Sequence, residues 1–384
     1  MSAPFDVKGW CPGAWRPMAT GDGWLVRVRP PLGELTCAQA LALAEASDRF
    51  GSGLIELTRR ANVQLRGVSE HSWPALMDFL VEHGLAPPSA FDERRPPLML
   101  SPEWRENDDT HRAARHLEKS DFPALPAKVG IAVDAGVAPV LGDAPADFRI
   151  ERDDTGALLV RCEGRALGSR VESAEAAAHL VVKLCHWFMA SGGGQAKRMG
   201  RHRAPLPAWA RQDAAPMAPG RALTLGAHPL GAVVGLSLGR IEAASLRALV
   251  TSLEACRLRV TPWRRLLVTG ADIARLPALA GVITEPSDPR LSMDACPGAP
   301  FCAQASVDTH AMAARLAHHR TGSLHVSGCA KGCARSRPAA VCLTGRGGRF
   351  DVLINDRADG KPAARGLTEP DVLDYLEKLG ALHL

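Results

Sequence analysis

Residues 24–30, WLVRVRP, alternate apolar and polar positions and stop at a Pro-Pro pair, which is the pattern of a half-buried strand. Thr36 then opens TCAQALALAEASDRF, where Ala and Leu recur at helical spacing behind a capping threonine. The stretches LIELT (54–58) and NVQLRGV (62–68) return to a strand pattern, with Arg59 and Arg60 at the bend between them. SWPALMDFLVEHG (72–84) is helical again. Strand, helix, strand, strand, helix is the beginning of a ferredoxin-like half.

The same order returns in residues 231–272. RVTPWRRLLVTG (259–270) lies under ELTRRANVQLRG (56–67) with the strand patterns in phase, so that Thr58 meets Thr261 and Gly67 meets Gly270. A repeat of this length is too long for a solenoid and suits two fused homologous halves. RAPLPAWARQDAAPMAPGRA (203–222), rich in Pro and Ala, reads as the linker between them. Each half carries a further αβ segment. In the first, strands are expected at KVGIAVDAG (128–136) and ALLVRCEG (157–164), with a helix over 173–191 ended by Gly192, Gly193 and Gly194. In the second, a helix is expected over 306–319, with Asp308 as an early acid, and strands at SLHVSG (323–328) and AVCLTG (340–345). The expected units are 1–85 and 221–285 for the ferredoxin-like halves, 86–205 for the first αβ domain and 286–384 for the second.

Composition narrows the function. At 46% hydrophobic the chain of 384 residues can bury a substantial core. The net charge of +5 is modest, and without a lysine run or interleaved aromatics it does not support nucleic-acid binding. Arginine makes up most of the 46 basic residues; its planar guanidinium grips carboxylates in two-point fashion where lysine does not. No apolar stretch reaches membrane-spanning length, because Lys183 and His186 interrupt the longest one, and no secretory pattern opens the chain. A soluble, cytoplasmic protein is expected, with reduced cysteines.

Of ten cysteines, Cys11, Cys37, Cys162, Cys185, Cys256 and Cys342 are scattered and read as small packing residues. The other four form Cys296-x5-Cys302 and, after 26 residues, Cys329-x3-Cys333. A structural zinc site usually has shorter Cys-x2–4-Cys spacings, so the x5 interval is off that pattern. A [4Fe–4S] cluster needs four thiolates and accepts varied spacings. CPGAPFC and GCAKGC place Gly and Pro where the backbone must turn tightly around a bulky group and aim N–H groups at its sulfurs.

Cys-x5-Cys followed by Gly-Cys-x3-Cys in the second half of a duplicated chain resembles the sulfite and nitrite reductase family. In that family the four cysteines hold a [4Fe–4S] cluster and the last also bridges to a sirohaem iron. The resemblance implies an α+β fold in which two ferredoxin-like halves pair and two αβ domains flank them. LTRRANVQLRGV resembles the family's Thr-Thr-Arg-Gln strand and places Arg60 on its carboxylate-binding arginine. WLVRVRPPLGELT resembles the strand that supplies another arginine, Arg27 rather than Arg29, and ERRPPLMLSP one that supplies Arg95. ALPAKVGIAVD resembles a Leu-Pro-Arg-Lys strand and retains Lys128, but Ala127 and Gly130 stand where the reductases carry polar groups. A site that reduces a small anion needs clustered cations, so their loss weakens the reductase reading and leaves room for something larger.

CPGAWRPMATGDGWLVRVRPPLGELT, ACPGAPFC and SGCAKGCARS resemble one branch of that family, the precorrin-3B synthases of aerobic cobalamin biosynthesis. This resemblance implies an oxygen-dependent monooxygenase that hydroxylates precorrin-3A and closes a γ-lactone. Arg27, Arg60, Arg95 and Lys128 would bind substrate carboxylates, and the cluster would receive electrons from an external, NADH-derived donor or a donor protein. A mononuclear non-haem iron is implied as well, but no facial triad of ligands is visible. His310, His318, His319 and His325 are expected on a helix surface or as satisfied polar residues. The rival readings are a sirohaem-dependent sulfite or nitrite reductase and a non-catalytic iron–sulfur tetrapyrrole-binding protein.

Overall fold

The computed structural model describes residues 10–253, 257–317 and 322–380. Four sheets, two antiparallel and two mixed, and their helices are arranged as two repeats of the same pair of units.

The first ferredoxin-like sheet runs Met18–Thr20, Gly23–Val28, Val63–Val68, Leu54–Leu57, and its last strand, Arg240–Glu242, comes from the other half. The second runs Gly226–His228, Gly231–Leu236, Arg265–Thr269, Arg257–Val260, and ends with Glu34–Thr36 from the first half. The halves thus exchange one short strand each. Ile241 lies opposite Ile55 and Leu35 opposite Leu258, all four buried, so each exchanged strand pins apolar side chains into a core that both halves share. Helices Cys37–Phe50 and Ala243–Thr251 follow directly on the exchanged strands and pack against one another. The first begins with a reciprocal cap in which the Thr36 hydroxyl accepts from Gln39 N–H and the Gln39 side chain accepts from Thr36 N–H.

The duplication is visible in turn chemistry. Before each exchanged strand the chain passes through two consecutive left-handed residues, Leu32 and Gly33 in one half and Leu238 and Gly239 in the other. Thr58 Oγ1 accepts from the N–H groups of Arg60 and Asn62, and Thr261 Oγ1 accepts from those of Trp263 and Arg265. Ala61 and Arg264, at matching positions, both have positive φ, as do Gly67 and Gly270. A hydroxyl that closes a tight turn onto a left-handed residue explains why the threonines align in sequence.

The flanking sheets also share one topology. Leu98–Leu100, Ile131–Val133 and Phe148–Arg152 are parallel neighbours, and Leu158–Cys162 and Ser169–Val171 add antiparallel edges. Met293–Ala295, Leu324–Ser327 and Ala339–Arg346, then Arg349–Asp356 and Ala364–Leu367, repeat that order and polarity. Asp109–Lys119 and Ala174–Ala190 pack on the first sheet, Thr309–Leu316 and Glu369–Lys378 on the second. The glycine run after Ala190 does not simply end the helix: Gly192 takes a left-handed turn and Gly193–Ala196 forms one more helical turn. Residues 203–222 form no long element. Ala214 and Pro216 bridge to Gly168 and Asp153, which ties this stretch to the first αβ unit.

Candidate active site

The first ferredoxin-like sheet carries a polar row across four strands. Arg27 lies opposite Gln64, Gln64 opposite Glu56, and Glu56 opposite Arg240. The side chains are joined in the same order. Arg27 Nε and Nη2 donate to Gln64 Oε1 at 3.1 and 2.5 Å, Gln64 Nε2 donates to Glu56 Oε2 at 3.1 Å, and Arg240 Nε donates to Glu56 Oε1 at 2.7 Å. Arg66, almost wholly buried, bonds Glu56 and both oxygens of Asp22. The equivalent row in the second half reads Val233, Leu267, Arg259, Glu34. Only its outer ion pair survives, Arg259 Nε to Glu34 Oε2 at 2.8 Å, with the polarity of Arg240–Glu56 reversed; Val233 and Leu267 pack with Leu223, Leu230 and Trp263.

At the Arg27 end the row opens into a cleft of about 330 Å³, lined among others by Arg27, Arg29, Asn62, Glu93, Arg95 and Phe122. The segment around Gly13 folds over it: Ala14 and Trp15 N–H groups donate to the Glu93 carboxylate, and a side chain at Gly13 would collide with that carboxylate. Burial pulls the Arg27 pKa down to about 10; the neighbouring Cys11 thiol opposes this, and the charges of Arg29 and Arg60 add to it. Burial also lowers Arg29, against the attraction of Glu93, and lowers Arg60. Arg29 Nε is buried without a hydrogen-bond partner.

The expected site residues therefore divide. Arg27 and Arg60 come together, and Arg29 joins them. Arg95 stands on the cleft rim, but its Nη1 donates to the carbonyls of Glu118 and Ser120, where it closes the C-terminus of helix Asp109–Lys119. Lys128 is half-buried, and its carbonyl accepts from Arg60 Nη1 at 3.0 Å. Gly130 is buried, and a Cβ there would lie in ordinary contact with Pro97, 3.4 Å from its carbonyl oxygen, and 3.8 Å from Arg60 Nη1. Ala127 is exposed. Sequence reasoning missed Gln64, Glu56, Arg66, Arg198 and the placement of Cys11. Arg198 approaches Arg60 while bonding Asp147 at 2.8 Å.

The other end of the row meets the cysteine loops. Phe301, next to Cys302, has the guanidiniums of Arg66 and Arg240 5.8 and 5.5 Å from its ring centre. Its carbonyl accepts from Arg66 Nη2 and from Gly21 N–H. Gly21 must lack a side chain, since a Cβ would stand 2.2 Å from the Pro300 carbonyl. Beneath the loops, Asp294 receives Arg59, Arg264 and Arg335 at 2.8–3.0 Å. Burial alone would raise its pKa; the three guanidiniums outweigh that and hold the carboxyl below its usual range.

Cys296 is buried, Cys302 and Cys329 are half-buried and Cys333 is exposed at the surface. The four stand near enough to feel one another's charge. Burial raises Cys296, the N–H groups of Gly328 and Gly298 oppose it, and Cys329 and Cys302 raise it further. Surrounding protein pushes Cys333 up to about 11; Lys331 opposes, and Cys296, Cys329 and Cys302 add to it. Gly328 N–H donates to Cys296 Sγ at 3.1 Å. Gly298 and Gly332 have positive φ, and Cβ atoms at Gly298 and Gly328 would strike Thr309 and Ala305. Among the described residues no three His, Cys, Asp or Glu side chains converge as tightly as one metal ion requires. Four cysteines that are electrostatic neighbours, with the Gly328 N–H aimed at the Cys296 sulfur, are a donor set whose chemistry fits an iron–sulfur cluster. The same absence leaves no ligand set for a mononuclear iron among the described residues.

The histidine expectation needs correcting. His325 is wholly buried under the Cys329–Cys333 loop. Its Nδ1 is 3.5 Å from Cys342 Sγ, its Nε2 has no partner, and burial lowers its pKa to about 4. His310 lies at the start of helix Thr309–Leu316 with Nε2 buried and unpartnered. His318, His319 and Cys256 lie outside the described residues.

Comparison with known proteins gives the chain its relatives. Residues 16–83 match the nitrite/sulfite reductase ferredoxin-like half domain. The chain is 33% identical over 397 residues to a precorrin-3B synthase of Sinorhizobium sp, covering 93% of this chain and 85% of that protein. It is 24% identical to the ferredoxin–nitrite reductase of Synechococcus elongatus, over 95% of this chain and 87% of that one. The structure of the Mycobacterium tuberculosis NirA protein superposes with a TM-score of 0.62 at 19% identity, covering 93% of this chain and 80% of that chain, which shows a common fold.

Proposed function

The chain belongs to the precorrin-3B synthase family, and we propose that it is an oxygen-dependent monooxygenase that hydroxylates precorrin-3A at the meso carbon between rings A and D, with closure of a γ-lactone by the ring-A acetate. One oxygen atom enters the substrate and the other leaves as water. The two electrons this requires come from an external, NADH-derived donor. Cys296, Cys302, Cys329 and Cys333 would hold a [4Fe–4S] cluster, which would supply one-electron chemistry when bound.

The observation that carries this reading is the half-buried arginine group. Arg27 and Arg60 share one end of the sheet with Arg29, and the side chains recorded on Arg27 are neutral Gln64 and the Cys11 thiol. Clustered, half-buried guanidiniums whose hydrogen bonds go to an amide oxygen and to backbone carbonyls rather than to carboxylates call for an anionic ligand. A polycarboxylate macrocycle supplies several anions at fixed spacing. Arg27, Arg29 and Arg60 hold carboxylates, Arg95 and Lys128 bind at the margin, and Glu93 keeps the segment around Gly13 closed over the ligand.

The test is iron, acid-labile sulfide and visible spectrum of anaerobically purified protein, followed by oxygen uptake on adding precorrin-3A and reductant. Four cluster irons without sirohaem bands, and uptake dependent on precorrin-3A, support the monooxygenase. Sirohaem bands with electron transfer to sulfite or nitrite overturn it in favour of a reductase.

A further inference from the structure

We infer that the Arg27–Gln64–Glu56–Arg240 row couples occupancy of the arginine cleft to the ease with which the cysteine-bound cluster accepts an electron. This inference rests on the reading of the cleft as a carboxylate site.

Four observations carry it. The row is continuous: each side chain bonds the next, and Gln64 and Glu56 are buried. Its two ends are the two functional regions, since Arg27 lines the cleft while Arg240 and Arg66 approach Phe301 beside Cys302. Its far end is chemically unfinished. Arg240 Nη2 and His310 Nε2 are both buried without partners, the two side chains are electrostatic neighbours, and His310 also bonds the Cys296 backbone. Finally, the molecule contains its own contrast: the matching row in the second half is broken by Val233 and Leu267, which pack with Leu223, Leu230 and Trp263 instead of continuing a polar chain.

The physical link is competition at Arg27. Its Nε and Nη2 hydrogens now serve Gln64 Oε1. A ligand carboxylate is a stronger acceptor than an amide oxygen, so it draws on the same guanidinium and loosens Gln64. In a low-dielectric row, hydrogen bonds polarise one another, and a change at one end alters the hold of Glu56 on Arg240 at the other. Arg240 then faces the Cys302 loop with a changed orientation or effective charge. Coupling is reciprocal, so reduction of the cluster changes ligand affinity by the same factor that the ligand changes reduction. Gln64, Glu56 and Arg240 are positioning residues in this scheme, and none of them need touch the substrate.

The experiment measures the midpoint potential of the cluster by EPR-monitored titration, with and without saturating precorrin-3A, in wild type, Gln64→Met and Arg240→Met. Binding is read separately from the tetrapyrrole's visible absorption, and cluster content from iron and sulfide. A coupling of about fivefold, the low end for allosteric pairs, is about 40 mV for a one-electron couple. The expected result is a shift of that order in wild type and its loss in whichever variant retains cluster and binding; both replace a side chain without adding a buried charge. A wild-type potential that ignores bound precorrin-3A overturns the coupling while leaving the carboxylate cleft intact. An equal shift in wild type and variants overturns the row as its route. Absence of binding in wild type overturns the cleft reading and this inference together.

Discussion

Replacing Arg27 with methionine should make the ligand-free protein more stable and the ligand-binding protein worse. The magnitude follows from burial. A guanidinium whose pKa is drawn down to about 10 bears about 3 kcal/mol of desolvation cost, present in full at every pH below that value. Methionine matches the length of the side chain and removes the charge. It also removes two hydrogen bonds to Gln64, which return about 1–2 kcal/mol against the gain. The net expectation is about 1–2 kcal/mol of stabilisation. Loss of one partner from a buried charge-assisted pair with a carboxylate costs about 2–5 kcal/mol of affinity, or roughly 30- to 4000-fold in Kd. Differential scanning calorimetry of the ligand-free protein and absorption titration with precorrin-3A read the two quantities. A stabilised variant with weakened binding is the signature of a residue kept for its ligand. A destabilised variant with unchanged affinity would refute the argument and make Arg27 a structural residue that holds Gln64.

Cys329→Ser or Cys333→Ser should each abolish the broad visible absorption near about 400 nm that a [4Fe–4S] cluster gives; full iron and sulfide in either would remove that cysteine from the ligand set. Asp134 is buried, and desolvation raises its pKa to about 6 despite the N–H groups of Leu141 and Val140 and the Ser101 hydroxyl. Its folded form therefore favours the neutral acid, so stability falls as pH rises from about 4 to about 6, by at most about 3 kcal/mol. Asp134→Asn should flatten that part of the pH–stability curve in chemical denaturation, and an unchanged slope would refute the assignment.

What the sequence disclosed, and what it withheld, follows from the range of the interactions. Thr58 and Thr261 aligned because each closes its own turn within four residues. The Cys loops were legible because thiolates and glycines sit together in the chain. The exchange of Glu34–Thr36 and Arg240–Glu242 was not legible, since three-residue strands carry no period to read. Arg66 shares the polar face of NVQLRGV with Gln64, opposite Val63 and Leu65, and its role became visible only with Asp22, Glu56 and the Phe301 carbonyl around it. Asp294 draws partners from positions 59, 264 and 335, a convergence that no local pattern encodes. Arg95 lines the cleft, but its guanidinium serves a helix end that motif matching could not foresee.

The exchanged strands have a consequence for how such a chain can be cut and how it arose. Separated at residues 203–222, each fragment would carry a sheet with an open edge and a loose segment shaped for the other fragment's edge. Two such fragments should reassemble on mixing, as protomers of a swapped dimer do. Run backwards, the same geometry describes an ancestral symmetric dimer whose fusion made the two clefts independently mutable. One could then keep Arg27 and Gln64 while the other filled with Val233 and Leu267, a division of labour closed to a protein obliged to repeat every substitution twice.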